Sequence, residues 1–278
     1  MAIKVSRVTQ PLFSDGGTLI LPEWIADGTL KTHEIPQLDD LYGGGTVQLY
    51  PIGSQFRSVG HPGEIWRYSK AAAGLTRGRF HFNSFQCPGL GGNSVGSGFE
   101  GAFYEAITAG DTSFKIVDTA ATLNLYEGAV LVVFNTAYFD IYRVIGNDAS
   151  DGTSTTCYIG DPGFKAAVTT SIGITVYLNQ YAGVTNALGS GWYTAVGSAL
   201  RNVTSGYYFW MKTVGWVFPA TNSTYCGQTA YQRDVHVHQD GSVEGATSTT
   251  YLYQKVGSIR YGTSNSYGDT MIWMQLDE

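Results

Sequence analysis

From about Thr112 onward, apolar and polar residues alternate with the period of two that places successive side chains on opposite faces of a strand. Ser113-Phe-Lys-Ile-Val-Asp118 alternates in this way. Ala129-Val-Leu-Val-Val-Phe134 is a continuous apolar run and predicts a strand buried on both faces. Tyr138-Phe-Asp-Ile-Tyr-Arg-Val-Ile145 follows after a three-residue break, Asn135-Thr-Ala137, that suits a hairpin. Asn147-Asp-Ala-Ser-Asp-Gly152 is a turn cluster, and Ser154–Ile159 and Ile172–Leu178 are two further strands. Upstream, Gly63–Lys70 also alternates. No segment of ten or more residues carries a helical period, so the expected class is all-β, with short strands spaced as in a small sandwich or barrel.

The last hundred residues hold an internal repeat. Tyr193-Thr-Ala-Val-Gly-Ser198 recurs 60 positions later as Tyr253-Gln-Lys-Val-Gly-Ser258. Each copy leads through a polar turn to an aromatic strand ending in Trp-Met, at Trp210-Met211 and at Trp273-Met274. The repeat predicts two hairpins paired about a pseudo-two-fold axis into a small barrel, its core including Val196, Trp210, Val256 and Trp273. Glycine in each Val-Gly-Ser allows a bend or a close backbone approach. Between the copies, Asp234–Val243 alternates around Asp240-Gly241, a strong hairpin signal.

The first 60 residues differ. Five of the chain's eight prolines lie near or within them, at Pro11, Pro22, Pro36, Pro51 and Pro62, with glycine clusters at 16–17 and 43–45. Proline removes a ladder donor and glycine loosens the backbone. The reading is an extended arm over 1–60 that adds little to the fold and gains order by lying on a neighbour, with Leu19, Ile20, Leu21 and Trp24 as its contact residues. Deleting it should then change thermal unfolding little. A β-rich domain over 61–180 and a C-terminal small barrel over 181–278 complete the expected organisation.

Composition changes the picture in one respect. Charged residues make up 14% of the chain, well below the roughly 25% of an average soluble protein, so much of the surface is expected to meet partners. The formal net charge is −6 and no basic stripe is present, which argues against nucleic acid as a partner. Cys87, Cys157 and Cys226 are far apart and odd in number, which fits buried thiols rather than a disulfide framework or a metal site. The N-terminus lacks the apolar core of a signal peptide, and no run approaches the roughly 20 apolar residues of a helical membrane span. Synthesis in a host cytoplasm, with no membrane partner, is expected.

Candidate chemistry is sparse. His236 and His238 share a strand face but lack a third and fourth zinc ligand. Asp39-Asp40 and Asp148 to Asp151 are the carboxylate groupings; the second lies in a turn where Asp is a turn former, with calcium as the weaker alternative. The glycine-rich stretch at 88–98 has no Gly-Lys-Ser/Thr ending, so a phosphate loop is not expected. No Gly-x-Ser-x-Gly elbow is present. Tyr207, Tyr208, Trp210, Trp216 and Trp273 fit core and cross-strand pairs, and a sugar-stacking platform is the alternative. No catalysis, cofactor or metal is expected.

Longer motifs carry a resemblance. Tyr177-Leu-Asn-Gln-Tyr-Ala-Gly-Val184, the Val-Gly-Ser strands, Gly206-Tyr-Tyr-Phe-Trp-Met-Lys-Thr213 and Gly268-Asp-Thr-Met-Ile-Trp-Met-Gln-Leu276 resemble the C-terminal domain of tailed-phage head decoration, or cement, proteins. Trp66-Arg-Tyr-Ser-Lys-Ala-Ala-Ala73 is similar to a strand near the start of such proteins. The resemblance covers about residues 60–278; Lys212 stands where the family often has Gln, and the 1–60 segment has no counterpart. It implies a virion structural protein of a bacteriophage capsid surface, a homotrimer bound to the major capsid protein. A receptor- or glycan-binding head or tail fibre is the alternative.

Overall fold

The computed structural model describes residues 11–14, 17–22, 34–59, 63–85, 98–135, 139–186, 194–222, 226, 233–245, 254–261 and 270–276. The alternation becomes strands β1 (Leu12–Ser14), β2 (Gly17–Ile20), β3 (Gly44–Gly45), β4 (Gln55–Ser58), β5 (Ile65–Lys70), β6 (Phe80–Asn83), β7 (Phe99–Ala102), β8 (Ser113–Ile116), β9 (Val130–Phe134) and β10 (Phe139–Asn147). The series continues with β11 (Thr155–Ile159), β12 (Gly173–Tyr177), β13 (Val184–Thr185), β14 (Ala195–Ser198), β15 (Tyr208–Val217), β16 (Asp234–Val237), β17 (Val243–Gly245), β18 (Lys255–Tyr261) and β19 (Met271–Gln275). A single helical turn, α1 (Leu38–Leu41), is the one helix among the described residues. The fold is all-β.

Two units divide the chain, and each has its own sheet. The first is built on Phe85–Asn179, with strand order β7-β12-β9-β10-β11-β8, all neighbours antiparallel. Strand β10 pairs with β9 through Phe139–Arg143 and with β11 through Val144–Asn147, with a bulge between Val144 and Gly146 where it turns the corner. Just beyond β7, Phe103 bridges Ile116 of β8, and the Tyr104 N–H donates to the Lys115 carbonyl at 2.8 Å. These contacts close the sheet into a six-stranded barrel. A barrel this narrow is filled by side chains: Phe103, Phe114 and Phe164 meet edge-to-face at 5.6–5.8 Å, and Leu131, Ile174 and Cys157 are fully buried beside them. The buried Asp118 carboxylate accepts from the Tyr126 hydroxyl at 2.5 Å, and burial followed by that bond pushes the phenol well above its usual range.

The second unit combines Gln10–Leu21, Lys31–Ser84 and Gln180–Glu278. Its path runs β1-β2-β4-β5-β15-β19-β18-β16-β17, with β3, β14, β6 and β13 joined at the side. Strand β15 is the hub. One edge pairs with β5, from Tyr208↔Lys70 to Val214↔Ile65; elsewhere it pairs with β3, β14 and β19. Odd positions Phe209, Met211 and Val217 enter the hydrophobic core. Even positions Tyr208, Trp210 and Lys212 point to the face opposite Phe209 and Met211, and a register shift between Lys212 and Val214 interrupts the alternation before Trp216. The division at 84/85 differs from the boundary expected at 60/61, because β5 and β6 find their partners among the C-terminal strands.

The described part of 1–60 is sheet and covering layer, which corrects the reading of an independent arm. Strands β1 and β2 form a hairpin, β2 pairs with β4, and β4 pairs with β5. The segment between them lies on the even face of β15. Tyr50 packs edge-on to Tyr68 and Trp210 at 5.3 and 5.2 Å, Phe56 reaches Trp210 at 6.3 Å, and Tyr42 meets Trp66 at 6.0 Å. Pro11, Pro22, Pro36 and Pro51 flank strands and helix and lie outside them, where no ladder donor is lost.

The repeat folds as the sequence implies, as four adjacent strands in the order β14-β15-β19-β18. A Cβ on Gly197 would come within 2.6 Å of Met211, and one on Gly257 would collide with the Trp273 carbonyl. Both glycines thus allow close packing on the Trp-Met strand of their own hairpin. The four strands belong to the larger sheet and do not form a separate barrel. Val196 and Val256 enter different core clusters, Trp210 joins the aromatic layer, and Trp273 is half-buried against Trp216. They are not one core.

Within the same face, Lys212 and Glu64 form a buried ion pair at 2.7 Å, with side chains 5% and 10% exposed. The ammonium also donates to the Trp216 carbonyl at 3.2 Å and lies 4.7 Å above the Trp66 ring. Burial lowers the Lys212 pKa, and Glu64 opposes that shift. Lys212→Met alone strands a buried carboxylate and should cost roughly 3–5 kcal/mol. The double change Lys212→Met with Glu64→Leu should recover most of that loss in urea unfolding.

His81 of β6 is fully buried, opposite Gly197. Burial lowers its pKa from 6.5 to about 4, and the Asn186 side chain offsets only part of the shift. The unfolded chain therefore binds more protons than the folded one between those values. The resulting stability is complete above pH 6.5, falls as pH drops toward about 4, and amounts to about 3 kcal/mol. Urea unfolding at neutral pH and at about pH 4 should show that His81→Gln removes a loss of that size from the acid side.

Candidate interaction surface

Strand β9 alternates where its composition does not. Leu131 and Val133 are buried inside the barrel, whereas Val130 and Val132 are half-buried and Phe134 is exposed on its outer face. The run expected to be buried on both faces is thus fully buried on one face only, with Phe134 on the other 39% exposed. Register extends the outer face across neighbouring strands: Phe139 lies opposite Phe134, Ile141 opposite Val132, and Thr175 of β12 on the other side of Val132. Phe134 and Phe139 meet edge-to-face at 5.5 Å. Exposure is 39% at Phe134, 67% at Phe139 and 64% at Ile141, a contiguous apolar patch of the kind that marks an interface. Isolated exposed apolar residues are ordinary; this group shares one face of one sheet. The sequence signal was the alternation of Phe139, Ile141 and Arg143, which places them together opposite the barrel interior.

The residues expected to contact a capsid lie elsewhere. Leu19 is fully buried in β2 and Leu21 is 7% exposed, so both serve this chain's own sheet. Ile20 is half-buried, and Trp24 lies outside the described residues. The glycine-rich stretch at 88–97, Cys87 and Tyr193 also lie outside them.

The polar candidates resolve into local structure. Asp151 accepts from the Ser154 and Thr153 N–H groups at 2.7 and 2.8 Å, and these bonds hold its carboxyl below the usual range. Asp148 accepts from the Tyr158 hydroxyl at 2.6 Å. This is turn architecture, as the turn reading requires. Asp40 accepts from the Gln37 N–H at 2.9 Å within the turn that precedes α1. His236 is buried in β16, while His238 lies just past it and meets Asp240 at 3.1 Å. Asp240 also binds Arg79 at 2.6 Å and the Ser242 N–H at 2.9 Å; burial raises its pKa, but the bonds from Ser242, Arg79 and His238 outweigh that and leave it well below normal. The β16–β17 hairpin turns at Asp240-Gly241, and a side chain at Gly241 would collide with the Phe80 carbonyl. Among the described residues, no group of three His, Cys, Asp or Glu side chains is arranged to hold a metal ion. Burial raises the Cys157 thiol well above its usual value and the Cys226 thiol to about 11.

The aromatic residues divide sharply. Trp210 is 3% exposed, and Tyr50, Trp66 and Tyr68 around it are equally buried, so that cluster is packing. Trp216 is 38% exposed and meets Trp273 edge-to-face at 5.3 Å on the same sheet face. No protein-family model, curated protein or solved structure matches the chain.

Proposed function

We propose that the chain is a structural protein of a tailed-phage virion that decorates the capsid and cements neighbouring major capsid subunits, acting as a homo-oligomer. The observation that carries this reading is the exposed outer face of the barrel at Phe134, Phe139 and Ile141. It joins the low charge of the chain and the decoration-protein resemblance of its C-terminal motifs. An apolar patch on a closed barrel is presented without ordering a loop, which lowers the entropy cost of binding. A protein that binds only the assembled lattice adds its binding free energy to that lattice by mass action.

The experiment replaces Ile141 by Asp and Phe139 by Ser and measures occupancy on purified capsids. Both side chains are exposed, so the unfolding midpoint should stay within a few degrees of the parent. Occupancy should fall at least about tenfold, the effect of roughly 1.4 kcal/mol lost from binding, and capsids carrying the variant should lose their added heat resistance. Undiminished occupancy with intact folding would overturn the reading. Light scattering on the purified chain tests the homotrimer separately.

A further inference from the structure

Arg143 closes the exposed row on the outer face of the barrel. From Phe139 to Arg143, β10 reads exposed, buried, exposed, half-buried, exposed. Its pairing with β9 runs from Phe139↔Phe134 to Arg143↔Val130 without a shift. Phe139, Ile141 and Arg143 therefore share one face, in steps of about 6.8 Å along the strand. Phe134, Val132 and Val130 stand opposite them. Of these six outward side chains, only the Arg143 guanidinium is charged. The nearest carboxylate in sequence, Asp140, belongs to the other face: it lies opposite the buried Val133, is 8% exposed and meets Lys165 at 3.4 Å.

The guanidinium is held in position, because Arg143 Nη1 donates to the Gly128 carbonyl at 2.9 Å. A partner that buries Phe139 and Ile141 reaches Arg143 as well, since even a small interface covers several hundred Å² on each side. Covering a guanidinium with apolar surface alone is costly, and one backbone carbonyl offsets only part of that cost. The same face of a second copy would not help. It carries no carboxylate among its six outward side chains, so stacking the two faces would bury two cations without counter-charge.

We propose that the outer face of β9 and β10 receives an apolar segment of the capsid subunit that also bears a carboxylate. Phe139 and Ile141 take the apolar side chains, and Arg143 pairs with the carboxylate. This partner chemistry presupposes the capsid role proposed above and specifies what the capsid must present. Arginine suits the task, because its planar fork matches a carboxylate and stays charged at every accessible pH. Aromatic residues and arginine are also the side chains enriched at protein interfaces. The charge fixes direction too: the carboxylate lies toward the Val130 end of β9 and the apolar side chains toward the Phe134 end.

The test measures the affinity of the intact chain for purified capsids. Arg143→Gln should bind about tenfold more weakly than the parent. Lys165→Gln removes the same charge from a side chain that is 70% exposed and paired on the other face, and should stay within about twofold. The parent's affinity should fall between about 50 mM and about 500 mM salt, and that of Arg143→Gln should not. Should Arg143→Gln lower the unfolding midpoint through loss of the Gly128 bond, the salt series on the parent decides alone. Parent-like binding by Arg143→Gln, a parent affinity that does not fall with salt, or an equal loss in Lys165→Gln overturns the proposal. Phe139→Ser separates the two readings. Occupancy lost there but kept in Arg143→Gln removes the carboxylate and leaves the capsid role standing, whereas full occupancy in Phe139→Ser removes both. Larger species of the parent in light scattering that Phe139→Ser and Arg143→Gln dissolve would assign the face to a second copy and overturn it as well.

Discussion

Antiparallel pairing between Ile65–Lys70 and Tyr208–Val214 joins parts of the chain almost 150 residues apart, and the large sheet is organised around it. Along the sheet this pairing is the link between β1-β2-β4-β5 on one side and β15-β19-β18-β16-β17 on the other. Once it forms, one face of β15 receives Tyr50 and Phe56 and the other enters the core through Phe209 and Met211. The buried Lys212–Glu64 pair sits on this junction, linking β15 to the residue just before β5. A lone charge there would be costly, so the pair disfavours slipped registers that would separate its members.

Much of this was legible in the sequence, and the reasons are local. Strand spacing after Thr112, the break at 135–137 and the Asp240-Gly241 turn depend on neighbours a few residues apart. The Val-Gly-Ser repeat predicted close backbone approach, and Gly197 and Gly257 each pack on their own Trp-Met strand. Proline density over the first 60 residues suggests an absence of strands, and the structure places strands between those prolines. Pro11, Pro22 and Pro51 mark strand borders, and Leu19 is buried only because β2 finds β4. Pairing partners that distant leave no periodic trace.

The candidate surfaces were harder to read for a related reason. A run such as Ala129–Phe134 is the same string whether its second face meets its own chain or another. Only the pairing of the six-stranded sheet shows which face points inward, and the residues of the other face that are most exposed are Phe139 and Ile141, beside Phe134. The aromatic residues near the C-terminus divided in the same way. Trp210 and Trp216 are six residues apart on one strand with a register shift between them, and Trp210 is covered by the N-terminal segment while Trp216 is 38% exposed. The core reading thus holds for Trp210, which is buried among Tyr50, Tyr68 and Phe56.

Removal of residues 1–60 tests the central claim, that the two ends of the chain build one sheet. The truncated chain lacks β1 to β4 and the rings of Tyr42, Tyr50 and Phe56, so Trp66, Tyr68 and Trp210 lose their cover. Thermal unfolding followed by near-ultraviolet circular dichroism reports those aromatic residues directly. The account predicts that the tryptophan-dominated transition is lost or falls by well over ten degrees, roughly what several kcal/mol removed from a domain of this size produces, while amide exchange in the barrel built on Phe85–Asn179 stays protected. An unfolding midpoint within a few degrees of the full-length chain, with the same aromatic signal, would contradict it.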